Sequence, residues 1–254
     1  MRGGQNPDMT PIEQDMEAKK FAPVEGKAKI YVVRPSKFGG TGMYITPTIN
    51  KMVTASLISG SYLVLEVMPG KYELSAAGNL DKPTIVEIMA EANQIYFVQM
   101  MPKFGAARPR LHNQVVDQVT GRELVNEHKR YKTLAYQAPQ DLSLSPDKAT
   151  LYLVRPSKLG GVFAKLCPTI DNMVPGGLES GSYLVVGVSP GTHIISGSAK
   201  YEGDYTFEFE AIAGQDHFVS IAWGMGFALP KLKIELLDQE NGKALIEGYK
   251  KIEE

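Results

Sequence analysis

The chain has 254 residues, of which 43% are hydrophobic and 22% are charged, a composition typical of a globular protein. Its formal net charge of −1 and its scattered Lys and Arg residues give no electrostatic basis for binding nucleic acid. No stretch approaches the roughly 18 consecutive apolar residues of a membrane-spanning helix, so we expect no transmembrane segment.

The beginning of the chain differs from the rest in composition. Residues 1–26 are rich in Pro, Gly and polar residues, and we expect them to form an N-terminal tether. They lack the apolar segment of a signal peptide, which taken literally predicts a cytoplasmic protein. If the numbering begins after a removed leader, that interpretation does not hold.

The remainder of the sequence contains one long internal repeat. Residues 27–126 return as residues 148–247, always 121 positions later. About 40 of the 100 aligned pairs are identical, without a gap. Because solenoid repeats are only roughly 20 to 50 residues long, we expect each copy to be a domain with its own core. A linker over 127–147 and a C-terminal tail over 248–254 complete the predicted organisation.

Apolar residues recur at every second position within each copy, which is the period of a half-buried β-strand. Leu63, Leu65 and Val67 form one such set, and we assign them to the core. Alternation in the second copy likewise places Phe207 and Phe209 on one face of a strand. The equivalents of the first set in the second copy are Leu184, Val186 and Val188.

Turn signals separate these strands. Pro69-Gly70 and Pro190-Gly191 are predicted to form hairpin turns, since Pro fixes φ and Gly accepts a positive φ. Asn50-Lys51 and its equivalent Asp171-Asn172 indicate another hairpin. About seven short strands per copy predict an all-β protein of two tandem immunoglobulin-like, antiparallel β-sandwiches. The ends of the copies, Asp117–His128 and Asp238–Tyr249, are each compatible with a short helix.

Both copies carry the same motifs in the same order. These are Tyr-x-x-Arg-Pro-Ser, Pro-x-Ile, Gly-x-Tyr followed by Pro-Gly, Gln-x-x-Phe-Val, and a late Leu followed by Asp-x-x-x-Gly. Together they resemble a family of bacterial domains of unknown function often found in envelope lipoproteins, and more loosely the PEGA modules of cell-surface proteins. The resemblance implies a small β-sandwich at the periplasm or outer-membrane periphery, with no known enzymatic activity. Two departures are the Asn-Lys and Asp-Asn hairpins in place of Asn-Gly, and the absence of a lipid-accepting Cys near Met1.

The repeat can be used to search for catalytic groups, since a duplicated site would occur in both copies. None of the four histidines aligns with a histidine, and Cys167 aligns with Thr46. No metal-binding, thiol-redox or nucleophile motif occurs either. We therefore expect no enzyme activity, cofactor or metal, with a site around His193 or His217 in one copy as the remaining alternative. The histidines at 112, 128, 193 and 217 align with Lys233, Tyr249, Tyr72 and Tyr96.

Arginines recur at the end of the first strand of each copy. Arg34 and Arg155 follow an apolar run that suggests burial on both faces, and a Pro then ends the strand. We expect each guanidinium to brace the fold by pairing with Asp117 or Asp238, or with loop carbonyls. Ligand binding is the alternative.

A candidate contact surface is predicted from Gly-broken segments rich in Met and aromatic residues. The alternative is that they form bulged edge strands covering their own domain. The candidate interface residues are Met101, Phe104, Trp223, Met225 and Phe227.

Three functional classes follow from these observations. The first is a non-enzymatic structural component of a bacterial envelope complex, such as a secretion-system outer-membrane assembly, whose partners are other envelope proteins. The second is a carbohydrate- or peptidoglycan-binding module that uses exposed aromatics such as Tyr44, Tyr62 and Tyr183. An enzyme is the third. Peripheral or lipid-tethered membrane association is compatible with the first two.

Overall fold

The computed structural model describes residues 9–36, 44–77, 84–103, 110–134, 139–157, 165–197, 206–224 and 231–253. The chain divides into two compact units, Met1–Ala138 and Pro139–Glu254. Strands dominate both units, so the predicted all-β sandwich class is confirmed. No helix in the described ranges is long and apolar enough to cross a membrane.

The first unit contains two sheets. Its five-stranded sheet has the order β8-β7-β1-β4-β9, and its four-stranded sheet has the order β3-β2-β5-β6, with the bounds that follow. The elements are α1 (Ile12–Ala18), β1 (Ala28–Arg34), β2 (Thr46–Ile49), β3 (Met52–Val53), β4 (Ser61–Val67), β5 (Gly70–Ala77), β6 (Val86–Ala90), β7 (Ile95–Lys103), β8 (Arg110–Val116), α2 (Gln118–Asn126) and β9 (Lys129–Arg130).

The second unit has a five-stranded sheet of the same strand order relative to the chain. That order is β16-β15-β10-β12-β17, and the smaller sheet is β11-β13-β14. The elements are β10 (Ala149–Arg155), β11 (Pro168–Ile170), β12 (Ser182–Val188), β13 (Gly191–Gly197), β14 (Phe207–Ala211), β15 (Asp216–Gly224), β16 (Lys231–Leu237), α3 (Gln239–Ile246) and β17 (Lys250–Lys251).

The central strand of each five-stranded sheet has one antiparallel and one parallel neighbour. On β1, Tyr31 lies opposite Val64 of antiparallel β4 and opposite Phe97 of parallel β7. Strand β10 pairs in the same way with β12 and β15. The sequence predicted antiparallel sandwiches, and these two pairings differ because the chain crosses to the smaller sheet and returns before β7 or β15.

The Pro-Gly turns connect different sheets. Gly70 lies between β4, which pairs with β1 and β9, and β5, which pairs with β2 and β6. Gly191 likewise links β12 to β13. The predicted hairpins were therefore wrong at these positions, because a turn signal reverses the chain without specifying its pairing partner.

The other predicted hairpin is confirmed. Asn50 and Lys51 have φ of 48° and 66°, and Thr48 pairs with Val53 across the turn. Two consecutive positive φ values suit a type I′ turn, whose twist matches that of the strands it joins. The equivalent residues Asp171 and Asn172 have φ of 48° and 68°.

The alternating apolar residues lie between the two sheets of each unit, as predicted. Leu63, Leu65 and Val67 are buried. In the second unit the equivalent side chains pack with Ile195 and Phe209 of the smaller sheet. We call the opposite side of each five-stranded sheet its outer face.

Several segments predicted as tails or linkers belong to the folded units. Residues 12–18 form α1 rather than a tether, and Phe21 is buried. Lys129 and Arg130 form β9, which pairs in parallel with β4, and Lys250 and Lys251 pair equally with β12. Each domain therefore extends beyond the boundary predicted from the repeat.

Candidate functional site

The predicted contact residues lie on or after β7 and β15. Met101 is half-buried opposite His112, and the backbone of Trp223 lies opposite Leu232. Each of these strands is paired on both sides, so neither is an edge strand. The side chain of Trp223 and the residues Phe104, Met225 and Phe227 lie outside the described part of the structure, so this surface stays a prediction.

The two predicted bracing arginines are buried at the ends of β1 and β10, with 1% and 2% of their surfaces exposed. Nη1 of Arg34 donates to the carbonyl oxygen of Leu57 at 2.7 Å, and Nη1 of Arg155 donates to that of Leu178 at 2.9 Å. Burial lowers the pKa of Arg34 to about 10, against the opposing effect of Tyr131. Of the two predicted partner types, loop carbonyls are the ones that the structure places here.

The aspartates predicted as arginine partners cap helices instead. The carboxylate of Asp117 accepts hydrogen bonds from the backbone N–H groups of Val119 and Thr120, at 2.9 and 3.0 Å. Asp238 accepts from the backbone N–H of Asn241 at 2.8 Å. An N-cap carboxylate satisfies N–H groups that the first helical turn leaves without a partner. The prediction of Arg–Asp pairs is corrected accordingly.

The glycine of the Asp-x-x-x-Gly motif also has a packing role. A Cβ on Gly121 would lie 2.1 Å from Cγ of Phe97, and a Cβ on Gly242 would lie 2.2 Å from Cγ of Phe218. The helix can therefore approach the sheet only because no side chain intervenes. This contact joins two of the shared motifs, since each Phe belongs to Gln-x-x-Phe-Val.

Three of the histidines take over hydrogen bonds that tyrosines make at the aligned positions. Nε2 of His193 lies 2.7 Å from the carbonyl oxygen of Ser189, where the Tyr72 hydroxyl donates to Met68. Nε2 of His128 accepts from the backbone of Ser36 at 2.9 Å. The equivalent hydroxyl of Tyr249 accepts from Ser157, and His217 and Tyr96 accept from Ile212 and Glu91.

The candidate enzyme site around His193 and His217 is committed to backbone contacts. Nδ1 of His193 lies 2.6 Å from the Asp171 carboxylate, whose other oxygen accepts from the backbone of Ile194. Burial lowers the pKa of His217, against the opposing charge of Asp216. In the described ranges, no three His, Cys, Asp or Glu side chains are grouped to hold a metal ion.

The outer face of the first unit is covered by the N-terminal segment. Phe21 packs against Tyr31 and Phe97, with ring centroids 5.5 and 5.9 Å apart. The Tyr31 hydroxyl donates to the carbonyl oxygen of Ala18 at 2.7 Å. Burial raises the pKa of Tyr31 to about 12. Sequence reasoning missed this face, because the seven-residue α1 has no side-chain N-cap bond to announce it.

The centre of this contact is one carboxylate. Asp15 of α1 accepts from the Tyr62 hydroxyl at 2.6 Å, from Nζ of Lys19 at 2.8 Å and from the backbone N–H of Arg130 at 3.0 Å. Burial alone would raise the pKa of Asp15, but these hydrogen bonds and the Lys19 charge together lower it. Tyr62 is fully buried, so it is not an exposed aromatic of the kind that the glycan hypothesis requires.

The outer face of the second unit keeps the same rings but is more open. Tyr152 stacks on Phe218 with centroids 4.5 Å apart and lies 6.4 Å from Tyr183. Tyr152, Tyr183 and Val185 are half-buried, whereas Tyr31, Tyr62 and Val64 are buried. We call these three half-buried residues, with buried Phe218 beneath them, the second outer face.

Residues 24–112 match the model of a family described as a protein of unknown function (DUF2846). A domain of unknown function is thus present in the first unit, in agreement with the resemblance inferred from the motifs. No curated protein matches the chain. A solved structure, the Bacillus anthracis TIE protein, is similar at 9% identity and a TM-score of 0.22, over 78% of this chain and 34% of that one. The chain therefore spans about a third of that protein, and a TM-score this low supports no conclusion.

Proposed function

We propose that this protein is a non-enzymatic structural component of a bacterial envelope assembly that acts through protein–protein contacts. The observation that carries the proposal is the use made of the polar groups shared by the two units. The paired arginines bind loop carbonyls and the paired aspartates cap helices. What the two units share is therefore a framework, which supports a scaffold in preference to a duplicated catalyst.

We further infer that the two units are tandem copies of one domain and that the protein works in the periplasm or at the outer-membrane periphery. The constant offset of 121 residues and the equal strand orders support the first point. The motif resemblance to domains of envelope lipoproteins supports the second.

Chemical crosslinking in intact cells, followed by affinity purification of the full chain, tests the proposal. A scaffold should be recovered in a crosslinked species much larger than 27.8 kDa and in the envelope fraction. Fractionation of a cytoplasmic marker protein serves as the control. Recovery as a free monomer, without envelope partners, would contradict the proposal.

Glycan binding is the alternative that the more open second outer face favours, because Tyr183 is half-buried there. Sedimentation of the purified chain with insoluble peptidoglycan, compared with Tyr183→Ala, separates the two functions. Retention that depends on Tyr183 would favour the glycan-binding module.

A further inference from the structure

We propose that the second outer face binds a short, acidic amphipathic helix of a partner protein, in the way that the first unit binds α1. The inference rests on the proposed scaffold function and names the surface and the chemistry of the partner. Its template is inside this chain: the first unit shows what an outer face of this composition binds.

The α1 segment offers the first unit three groups in a fixed order. Asp15 accepts from the Tyr62 hydroxyl and from the backbone of β9. The carbonyl of Ala18, three residues later, accepts from the Tyr31 hydroxyl. Phe21, six residues after Asp15, then packs on Tyr31 and Phe97. A carboxylate, a helix-end carbonyl and an aromatic ring thus define the ligand of this face.

The second outer face keeps the complementary groups without these ligands. The aligned tyrosines are Tyr152 and Tyr183, whose rings lie 6.4 Å apart, close to the 6.2 Å between Tyr31 and Tyr62. Neither hydroxyl of the second pair donates to any acceptor within the described ranges, in contrast to the first pair. Two donors at an apolar surface therefore lack the acceptors that α1 provides.

The chain before β10 takes a different path from the chain before β1. The carbonyl of Leu142 accepts from the backbone of Gly187 on β12, and the Leu142 side chain packs on the core between the sheets. Leu142 stands 121 positions after Phe21, which packs on the outer face of its own unit. The described part of this segment thus does not supply the second unit with a ring equivalent to Phe21.

Charge complementarity indicates an acidic ligand. Strand β17 pairs with β12 in the register of β9 with β4, so Lys251 stands where Arg130 binds Asp15. Its neighbours Lys250 and Ile252 donate to β12, which turns the Lys251 N–H away from the sheet, toward the position of a carboxylate. Lys243 replaces Arg122, whose guanidinium lies 4.8 Å from the ring of Phe21. The exposed cations on this side are Lys243, Lys250 and Lys251.

The segment of a second copy is a poorer occupant than a partner protein. To reach the second outer face, residues 9–22 of another chain would have to leave their own unit and expose Tyr31 and Tyr62. Within one chain, the covalent link gives α1 a high effective concentration at its own unit. A separate protein incurs no such loss.

The test uses the full chain and, as a probe, a synthetic peptide with the sequence of residues 9–22 and blocked ends. Binding is measured by fluorescence anisotropy of a labelled peptide. We expect saturable binding with a dissociation constant below about 1 mM. Tyr183→Phe should weaken it about tenfold, because a hydrogen bond to a charged acceptor is lost. Val185→Asp should abolish it, and a peptide with the Asp15→Asn change should bind about as weakly as the wild-type peptide binds Tyr183→Phe.

Two matched variants locate the binding. Tyr96→Phe makes the same chemical change on β7 and should leave peptide affinity unchanged, and so should Tyr62→Phe on the first outer face. Circular dichroism before titration establishes that each variant is folded. Absence of binding to the wild-type chain, or binding that is insensitive to Tyr183→Phe and Val185→Asp, would overturn the proposal. Self-association abolished by Val185→Asp would also overturn it, in favour of a second copy as the occupant.

The outcome is distinguishable from failure of the proposed function. If crosslinked envelope assemblies form equally with wild-type and Val185→Asp chains, the scaffold function stands and this surface is not its interface. If no assembly forms with either chain, the function itself is wrong whatever the peptide does.

Discussion

Asp15 concentrates the electrostatics of the first outer face in one side chain. Its carboxylate joins α1 to β4 and β9 through Tyr62 and Arg130. Since the folded pKa lies below the ordinary value of 3.8, the stability that this group contributes is fully present above about pH 4. It is lost as the pH falls through the folded pKa.

We predict that Asp15→Asn lowers the free energy of unfolding of the first unit by about 1–2 kcal/mol at pH 7. The difference from wild type should shrink as the pH is lowered below 4, where the wild-type carboxyl gains its proton. Urea unfolding followed by circular dichroism measures both effects. Trp223, which lies in the second unit, provides an internal fluorescence control that should not change. A difference that is constant from pH 7 to pH 3 would contradict this role.

A second prediction concerns the buried arginine of the second unit. Arg155→Ala should destabilise that unit by about 3 kcal/mol, because it opens a cavity and leaves the Leu178 carbonyl without its guanidinium donor. Arg155→Met fills more of the space and should recover part of the loss. The melting transition of Trp223 fluorescence reports the result. An unchanged melting temperature together with loss of a binding partner would instead assign Arg155 to ligand binding.

The pairing of helix and sheet in each unit depends on a glycine at the contact. Gly121 and Gly242 allow α2 and α3 to rest on Phe97 and Phe218. The clash that a Cβ would create involves the inner atoms of a buried ring, which cannot move aside as the end of a flexible chain can.

Gly242→Ala should therefore cost about 3 kcal/mol in the second unit. Gly248→Ala, just beyond α3, is the matched control, since its Cβ would meet no atom within 4 Å. We expect that control to lie within about 0.5 kcal/mol of wild type. Chemical denaturation curves of the two variants make the comparison, and equal destabilisation by both would refute the contact as its cause.

Local signals in the sequence were sufficient for some elements and not for others. The alternation of Leu63, Leu65 and Val67 predicted their burial because it depends only on the strand period. The N-caps of α2 and α3 coincide with Asp117 and Asp238 for the same reason, although their carboxylates were assigned to the arginines. The parallel pairing of β1 with β7 was missed, since it joins residues that are distant in the chain. Helix α1 was also missed, because a helix of seven residues forms through tertiary packing rather than intrinsic propensity.

At the scale of the whole molecule, the two units differ in what covers their outer faces. Removal of residues 1–22 from the full chain should expose Tyr31, Tyr62 and Val64, and lower the melting temperature of the first unit by more than about 10 °C. The Trp223 transition of the second unit should stay in place. Differential scanning calorimetry combined with Trp fluorescence separates the two, and an unchanged first transition would mean that α1 adds little to stability.

The parallel strand at the centre of each sheet has a consequence for biosynthesis. Strand β1 can complete its pairing only after β7 has been made, and β9 then closes the sheet before β10 begins at Ala149. A ribosome that delivers the chain from its N-terminus therefore allows the first unit to fold before its near-duplicate strands appear. Refolding from denaturant presents β1 and β10 at the same time to β4 and β12, whose sequences from Gly60 and Gly181 both begin Gly-Ser-Tyr-Leu-Val. Exchange of strands between the units is then the competing reaction, and the direction of synthesis protects the chain from it.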